Sequence, residues 1–432
     1  MEHLSTTCVI AGGGPAGMML GYLLARAGVD VTVLEKHKDF LRDFRGDTVH
    51  PSTLEIMHEL GLLERFLRLP HTQIKSAGVD IGDRHFTVGD FARLPTRCKF
   101  IALMPQWDFL NFLAAEAKRF ANFHLLMETE AKDLLAQKGR ISGLLATGPG
   151  GHVQIRAGLT IAADGRHSVL RTKSGLRLKH LGAPFDVLWL RLPREKNDSE
   201  DLVGRVKNGQ IFVMIPRGDY WQCAYLIAKD SFTAIKASGL AQFRAQLKEV
   251  AGFAAPRVDE AITDFNQVKL LTVMVNRMEQ WARPGLLCIG DAAHAMSPVG
   301  GVGINLAIQD AVATANLVGP ALQKGIARLS DLRKVQRRRE FPTKVIQGFQ
   351  VLVQNLVLSR TLRSKNTPRP PLLLKWLNAW PWARQFPGRF IGIGVRPEHV
   401  RLAPRKMDPE VSSARGILRS GHDRRAERAD ST

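Results

Sequence analysis

Two hydrophobic periodicities run along this chain. Near its start, Thr7 to Ala11 is a nearly unbroken apolar run, the pattern of a strand buried on both faces. A glycine turn follows, and Pro15 to Ala27 then carries apolar residues at helical spacing. Val29 to Leu34 is a second strand-like run that ends in Glu35. Together these predict a βαβ unit at the extreme N-terminus. Thr53 to Leu67 predicts an amphipathic helix with Leu54, Met57, Leu60 and Leu63 on one face. Asp108 to Phe120 predicts another, with Gln106 just before it. Leu159 to Ala163 and Leu286 to Ile289 read as short buried strands, followed by Asp164-Gly165 and Gly290-Asp291 respectively. A long helix is predicted over Gly303 to Val318.

Residues 74–100 and 181–275 have a different texture, with short alternating runs separated by turn signals. Ile211 to Ile215, the turn Pro216-Arg217-Gly218-Asp219, and Tyr220 to Ile227 read as a β-hairpin. Strand-rich insertions therefore interrupt a mostly α/β core, and no internal repeat is visible. The expected division is a discontinuous core of residues 1–73, 101–180 and 276–330, with a β-sheet unit from 74–100 and 181–275. A helical, proline-broken segment is expected over 331–403, and a disordered basic tail over 404–432, where charge and small residues leave no core to pack.

Charge changes this picture only after it is located. The chain has 61 Lys+Arg against 40 Asp+Glu, a formal charge of +21. Residues 331–432 hold 22 and 8 of these, a net of +14, which leaves +7 on the first 330 residues. The excess thus belongs to the end of the chain. Three readings compete there: a helical cap on the core, contact with an anionic membrane surface through Trp376, Trp380 and Trp382, and nucleic-acid binding. No nucleic-acid module is recognisable, and no such partner is expected. Cys8, Cys98, Cys223 and Cys288 are widely spaced, so a zinc site or disulfide framework is not expected and a reducing, cytoplasmic setting is. The uncharged stretch before Arg26 lacks a basic flank and is broken by Gly12-Gly13-Gly14-Pro15, unlike a signal peptide.

Three motifs carry chemistry. Gly12-x-Gly14-x-x-Gly17 lies between strand and helix, with Pro15 and Ala16 opening the helix. Its spacing suits a tight turn, backbone approach to a pyrophosphate and close packing of helix on sheet. Glu35, next to Lys36, ends the following strand, where a carboxylate can accept from ribose hydroxyls. The second motif is Asp164-Gly165-Arg166-His167-Ser168-x-x-Arg171, for which a plain turn with a serine cap is an equal reading. The third runs from Leu286 through Gly290-Asp291 and Pro298 to Gly300-Gly301-Val302-Gly303-Ile304-Asn305. Asp291 is suited to a polyol, and the Gly300 to Asn305 backbone to a carbonyl or anion.

In this order, the motifs resemble those of the class A flavoprotein monooxygenases, the para-hydroxybenzoate hydroxylase-like aromatic hydroxylases. The resemblance covers about residues 5–330. It implies a glutathione-reductase-type Rossmann-like FAD-binding domain with an inserted β-sheet substrate domain and a helical C-terminal segment. It also implies non-covalent FAD, NAD(P)H and molecular oxygen as co-substrates, and hydroxylation of an aromatic or polycyclic small molecule through a flavin C4a-hydroperoxide. By the same resemblance Gly12, Gly14, Pro15, Ala16 and Gly17 hold the pyrophosphate, with Glu35 and Lys36 at the adenosine ribose. Arg45, in Phe44-Arg45-Gly46-Asp47-Thr48, contacts the flavin nucleotide and helps gate its movement, a catalytic role. Gln106 reaches the FAD, and Asp164 serves FAD and NAD(P)H binding. Asp291 binds the ribityl chain. Pro298 stands beside the isoalloxazine as the second catalytic residue, and Gly303 and Ile304 face its N1–C2 edge.

Substrate contacts are expected from Met214, Pro216, Tyr220 and Trp221, a mostly apolar wall. Tyr220 and Tyr225 face opposite ways on the hairpin, so at most one points at substrate, and Tyr22 reads as core. His50 and His294 could each be a base near the flavin or a satisfied structural histidine. A related halogenase or reductase is the alternative, although no Trp-x-Trp-x-Ile-Pro run occurs. A non-catalytic flavin-binding protein is a further alternative.

Overall fold

The computed structural model describes residues 2–41, 48–198, 201–364 and 366–405. Two sheets organise the chain, which is mixed α/β. The larger has eight strands. Its heart is five parallel strands in the spatial order Leu286–Cys288, Gly151–Ala162, Glu2–Ala11, Val31–Leu34, Phe123–Leu126. Val9, Ile10, Val31, Val33, Ile161 and Leu287 are all fully buried. Parallel strands covered on both faces are apolar at nearly every position, which explains the near-continuous apolar runs in the sequence. Residues Glu130–Gln137 and Arg140–Gly148 extend this sheet as an antiparallel meander, and Gly151–Ala162 is longer than its sequence signal because its first half belongs to that meander.

The first helix, Pro15–Arg26, follows the first strand. It packs against the long helix Gly303–Leu322. The predicted helix over 53–67 is two pieces, Pro51–Glu59 and Leu63–Phe66, because the chain turns at Gly61 with φ +69°.

The second sheet has seven strands, supplied by Ser76–Ile81, Arg84–Asp90 and five strands between Phe185 and Leu271. The hairpin is Gln210–Arg217 with Tyr220–Ala228. One face of this sheet packs on the helix Leu240–Ala251 through Met214, Trp221, Cys223, Phe243 and Leu247. The other face, with Val187, Ala224 and Leu226, packs against Val299 and against Leu358 and Leu362 of the C-terminal segment.

The C-terminal segment folds back over both. A helix runs Leu329–Val353, passes through a π-turn and continues as Ser359–Arg363. Shorter helices follow at Leu372–Ala379 and Gln385–Gly392. The basic stretch Arg333 to Arg339 is not a uniform solvated face. Arg339 is fully buried, and its Nε donates to Asp310 Oδ1 at 3.0 Å on the helix Gly303–Leu322. The helix Leu329–Val353 therefore packs on the helix Gly303–Leu322 of the core. The predicted tail lies almost wholly outside the described residues. Among the described residues, no helix is long and apolar enough to cross a membrane, and no cluster of His, Cys, Asp and Glu could hold a metal.

Candidate flavin site

Four adjacent parallel strands end together. Their last residues are in register: Cys288 opposite Ala162, Ala162 opposite Ala11, and Ala11 opposite Leu34. Just beyond these ends come Asp291, Asp164, Gly12 and Glu35, in that spatial order. Three strand spacings of about 4.8 Å put this row across about 14 Å. The first strand is the point where the order reverses, with its helix-linked partner on one side and the later strands on the other. Such a switch point opens a crevice at the carboxyl ends of the strands.

That crevice is a cavity of about 690 Å³. It falls in the range of sites for sizeable organic ligands. Its wall includes Gly12, Gly14, Pro15, Ala16, Glu35, Lys36, Gln106, Asp164, Asp291, Pro298, Gly303 and Ile304. These twelve sequence-predicted positions come from every segment of the first sheet's domain. Gly17 stands one step behind, where the helix touches the strand. Arg45, with Phe44, Gly46 and Asp47, lies outside the described residues.

The glycines do three separate jobs. Gly12 has φ +107°, and a Cβ there would meet the Ala163 carbonyl oxygen at 2.3 Å. A Cβ on Gly17 would lie 1.9 Å from the Gly12 carbonyl oxygen. Gly14 is different. Its φ is −74°, open to any residue, and a Cβ there would meet nothing within 4 Å. The protein itself gives no reason for glycine at Gly14; a ligand held close to this backbone does. Pro15 opens the helix at a position where a missing N–H costs nothing, and no side chain caps the turn. The free N–H groups and the positive helix end are thus left for an anion.

Hydrogen bonds tie the strand ends to one another. Glu35 accepts from the Gly13 N–H at 3.2 Å and the His37 N–H at 3.1 Å, so it shapes the glycine turn it faces. Asp164 accepts from Ser168 Oγ at 2.5 Å and the Leu170 N–H at 3.2 Å, and burial pushes its carboxyl above the ordinary value. Ser168 in turn caps the helix Val169–Ser174. Both readings of the second motif therefore meet here: its serine is a cap, and its aspartate also lines the cavity. Arg171 donates to the Ala292 and Arg166 carbonyls, which pins the loop after Asp164 to the loop after Gly290. Arg166 reaches Asp291 at 3.6 Å.

At the third motif, Asn305 binds the chain that follows Arg45. Its Oδ1 accepts from the His50 N–H and Thr53 Oγ1 at 2.9 and 2.7 Å, and its Nδ2 donates to the Thr48 carbonyl at 3.1 Å. The long helix from Gly303 has no acidic residue in its first turn and no side-chain cap, so its positive end faces the cavity.

The far wall comes from the second sheet, where it is Trp189 and Lys269 to Val273 that line the cavity. Met214 and Trp221 do not. Both are fully buried on the opposite face, against the helix Leu240–Ala251, and the Trp221 indole N–H donates to Asp198 at 3.0 Å. Side chains alternate along a strand, so a placement wrong by one residue in parity exchanges the two faces. Pro216 is buried at the hairpin's end, and Tyr220 is half-buried with the Arg191 guanidinium 5.0 Å above its ring; neither lines the cavity. Tyr225 is core, its hydroxyl 3.2 Å from Gln210 and its pKa pushed up to about 12 by burial, and Tyr22 is core as well.

Both histidines are buried and hydrogen-bonded through one ring nitrogen. His50 is buried, and its Nδ1 donates to the Ile391 carbonyl at 2.8 Å. His294 is buried against Trp281, with Nε2 2.6 Å from Asp310 Oδ2. The sequence reading missed that aspartate. Asp310 Oδ2 also accepts from the Gly290 N–H at 3.1 Å, which fixes the backbone that delivers Asp291. An acidic residue inside an otherwise apolar helix face is the signal that points to it.

The donor set suits a flavin dinucleotide: a glycine cradle for two phosphates, carboxylates for two polyols, and a helix end for an electron-rich ring edge. A family model described as FAD binding domain matches residues 5–348. The 6-methylpretetramide 4-monooxygenase of Streptomyces rimosus is 30% identical over 359 residues, covering 82% of this chain and 85% of that one. Rifampicin monooxygenase of Streptomyces venezuelae is 29% identical over 309 residues, 70% of this chain and 62% of that one. The solved structure of p-nitrophenol 4-monooxygenase PnpA from Pseudomonas putida shares the fold with a TM-score of 0.72 at 19% identity, covering 90% of this chain and 95% of that one. A family match over most of the chain, joined to a relative that spans most of both proteins, places the chain in the FAD binding domain family, among the class A flavoprotein aromatic hydroxylases.

Proposed function

We propose that this protein is an FAD-dependent monooxygenase that draws electrons from NAD(P)H and places one atom of molecular oxygen on an aromatic or polycyclic ring. The observation that carries this reading is the row of Asp291, Asp164, Gly12 and Glu35 at four aligned strand ends, opening on a cavity whose far wall is mostly apolar, with Lys269 and Thr272 among it. Bound FAD supplies hydride acceptance and oxygen activation, chemistry that no amino-acid side chain provides.

The chain's own residues bind, orient and exclude water. The backbone from Gly12 to Gly17 and the first helix's N-terminus hold the pyrophosphate. Glu35, at the end of its strand and beside the glycine turn, binds the ribose hydroxyls. Lys36 and Gln106 close the nucleotide side, and Asp291 binds the ribityl hydroxyls. The Gly303 and Ile304 N–H groups, at the positive end of a 20-residue helix, would hold the electron-rich edge of the flavin ring. Arg45 is proposed to contact the flavin, on the resemblance alone. Pro298 borders the reacting edge. Trp189, Leu271, Val273 and Met296 form an apolar wall that suits a flat, weakly charged ring and keeps the site dry. The two relatives named as 6-methylpretetramide and rifampicin monooxygenases support a polycyclic substrate class.

The test is NAD(P)H oxidation with oxygen uptake, run against phenols, quinones and polycyclic polyketides, with product masses recorded. Gain of one oxygen atom is expected. A colourless purified protein that takes up no FAD refutes the reading, and gain of a halogen or of hydrogen alone refutes the hydroxylation step.

A further inference from the structure

We infer that the C-terminal helical segment is a docking face for an anionic lipid surface. The helix Leu372–Ala379 packs inward through Leu377 and turns Leu372, Leu373 and Trp376 outward, 81%, 64% and 45% exposed. The next turn and helix expose Trp380, Trp382 and Phe386. These residues form a connected patch. The Trp376 and Trp382 rings lie 6.3 Å apart, and Trp382 and Phe386 6.0 Å. One helical turn beyond Phe386, Phe390 lies 5.0 Å from Phe349 on the long C-terminal helix. Contiguous apolar surface of this kind marks an interaction site, whereas scattered apolar residues do not.

Charge identifies the occupant. Residues 341–397 contain nine Lys and Arg and no Asp or Glu. Lys375 and Arg389 are exposed on the two helices that carry the patch, and Arg363 and Arg369 are exposed just before them. A second copy of this chain would set like charge against like charge across a two-fold axis, with no acidic partner inside the segment. An anionic headgroup layer complements both features: it attracts the cations, while indole and leucine side chains enter the acyl boundary. The docking is peripheral, since no described helix can span a bilayer. Phe390 also packs on the cluster of Met296, Val302 and Leu306, and Met296 lines the flavin cavity. The docked face thus stands one side chain from the proposed site. Delivery of a bilayer-dissolved substrate along it rests on the function proposed above, but the docking itself does not.

The test is co-sedimentation of the full-length holoprotein with phosphatidylcholine vesicles, with and without phosphatidylglycerol. Binding is expected only with phosphatidylglycerol, weakening as salt rises. Replacing Leu372, Trp376 and Trp382 by serine keeps every charge and is expected to lower partitioning about tenfold or more. A second variant, Lys375→Glu with Arg389→Glu, is expected to lose about as much. Flavin absorbance and circular dichroism confirm that each variant is folded. Absence of binding to phosphatidylglycerol vesicles overturns the inference. So does undiminished binding by the folded serine variant, and so does a wild-type dimer that the serine variant loses, which would assign the face to a second copy.

Discussion

Gly14 and Gly17 belong to one motif, yet alanine at each should fail in a different way. At Gly17 the added Cβ would sit 1.9 Å from the Gly12 carbonyl oxygen, more than 1 Å inside the closest separation that real Cβ atoms show. The obstacle is backbone, so helix and strand must separate. Alanine gains about 1 kcal/mol in helix propensity. Over-packing costs typically about 1–3 kcal/mol and more where backbone must move. The apoprotein should therefore lose about 2 kcal/mol or more, together with its flavin. At Gly14 the backbone angles suit alanine and the Cβ meets no protein atom within 4 Å. Loss of a favoured N-cap residue and the lower entropy of the unfolded chain nearly cancel, each below about 1 kcal/mol. Stability of the apoprotein should stay within about 1 kcal/mol of wild type, while the FAD dissociation constant rises about tenfold or more, because the methyl occupies the space of the phosphates. Urea unfolding of the apoproteins and fluorescence titration with FAD separate the two outcomes. Wild-type FAD affinity in Gly14→Ala would refute the pyrophosphate assignment, and an apoprotein of undiminished stability in Gly17→Ala would refute the packing argument.

Asp291→Ala should raise the FAD dissociation constant at least about tenfold, since a ribityl contact is lost, while apoprotein stability moves by about 0.5 kcal/mol; unchanged flavin occupancy contradicts the assignment. Asp310→Asn removes the nearer of the two carboxylates that pair with the buried Arg339, leaving Glu398, and should cost about 3 kcal/mol in urea unfolding, with a double change of Asp310→Asn and Arg339→Met costing less than the two single changes summed. His50 is held neutral by burial, which lowers its pKa from 6.5 to about 4. Below pH 6.5 the unfolded chain binds a proton that the folded chain refuses until about pH 4, so stability falls as pH drops through that window, by up to about 3 kcal/mol. In His50→Gln the slope of unfolding free energy against pH should flatten by one proton. Met214→Ala should cost about 2–5 kcal/mol of stability with KM unchanged, and Trp189→Ala should raise KM with a smaller stability loss, as read by unfolding and steady-state kinetics.

What the sequence made legible was the part written in local chemistry. Gly12, Glu35, Asp164 and Asp291 each follow a mostly apolar run, and strands of that kind deliver their next residues to one edge of a parallel sheet. Motif and position therefore carried the same information. The far wall of the cavity was not legible for the opposite reason. In a sheet with both faces covered, alternation is weak: Phe212 and Met214 are core on one face, and Ile211 and Val213 are covered on the other. Nothing local distinguishes the face packed on a helix from the face packed on a ligand. Trp189, on a strand, and Val273, in the loop after Lys269–Leu271, reach the cavity only through a tertiary arrangement that sets both on the same wall.

The basic segment shows a further limit. Arg333, Lys334, Arg337 and Arg338 are at least partly exposed, yet Arg339 beside them is fully buried, and Asp310 explains why. One carboxylate of Asp310 serves the Gly290 N–H, the His294 ring and the Arg339 guanidinium, and Arg339 in turn meets Glu398 at 3.4 Å. A lone buried charge would be strongly unfavourable, so each member requires the next. The chain of contacts runs from the loop that presents Asp291, through the long helix, to residue 398 near the described end. Removing the C-terminal segment would therefore do more than expose apolar surface. It would leave Asp310 facing the loop after Gly290 without its Arg339 partner, so the C-terminal helices contribute to the architecture of the candidate flavin site.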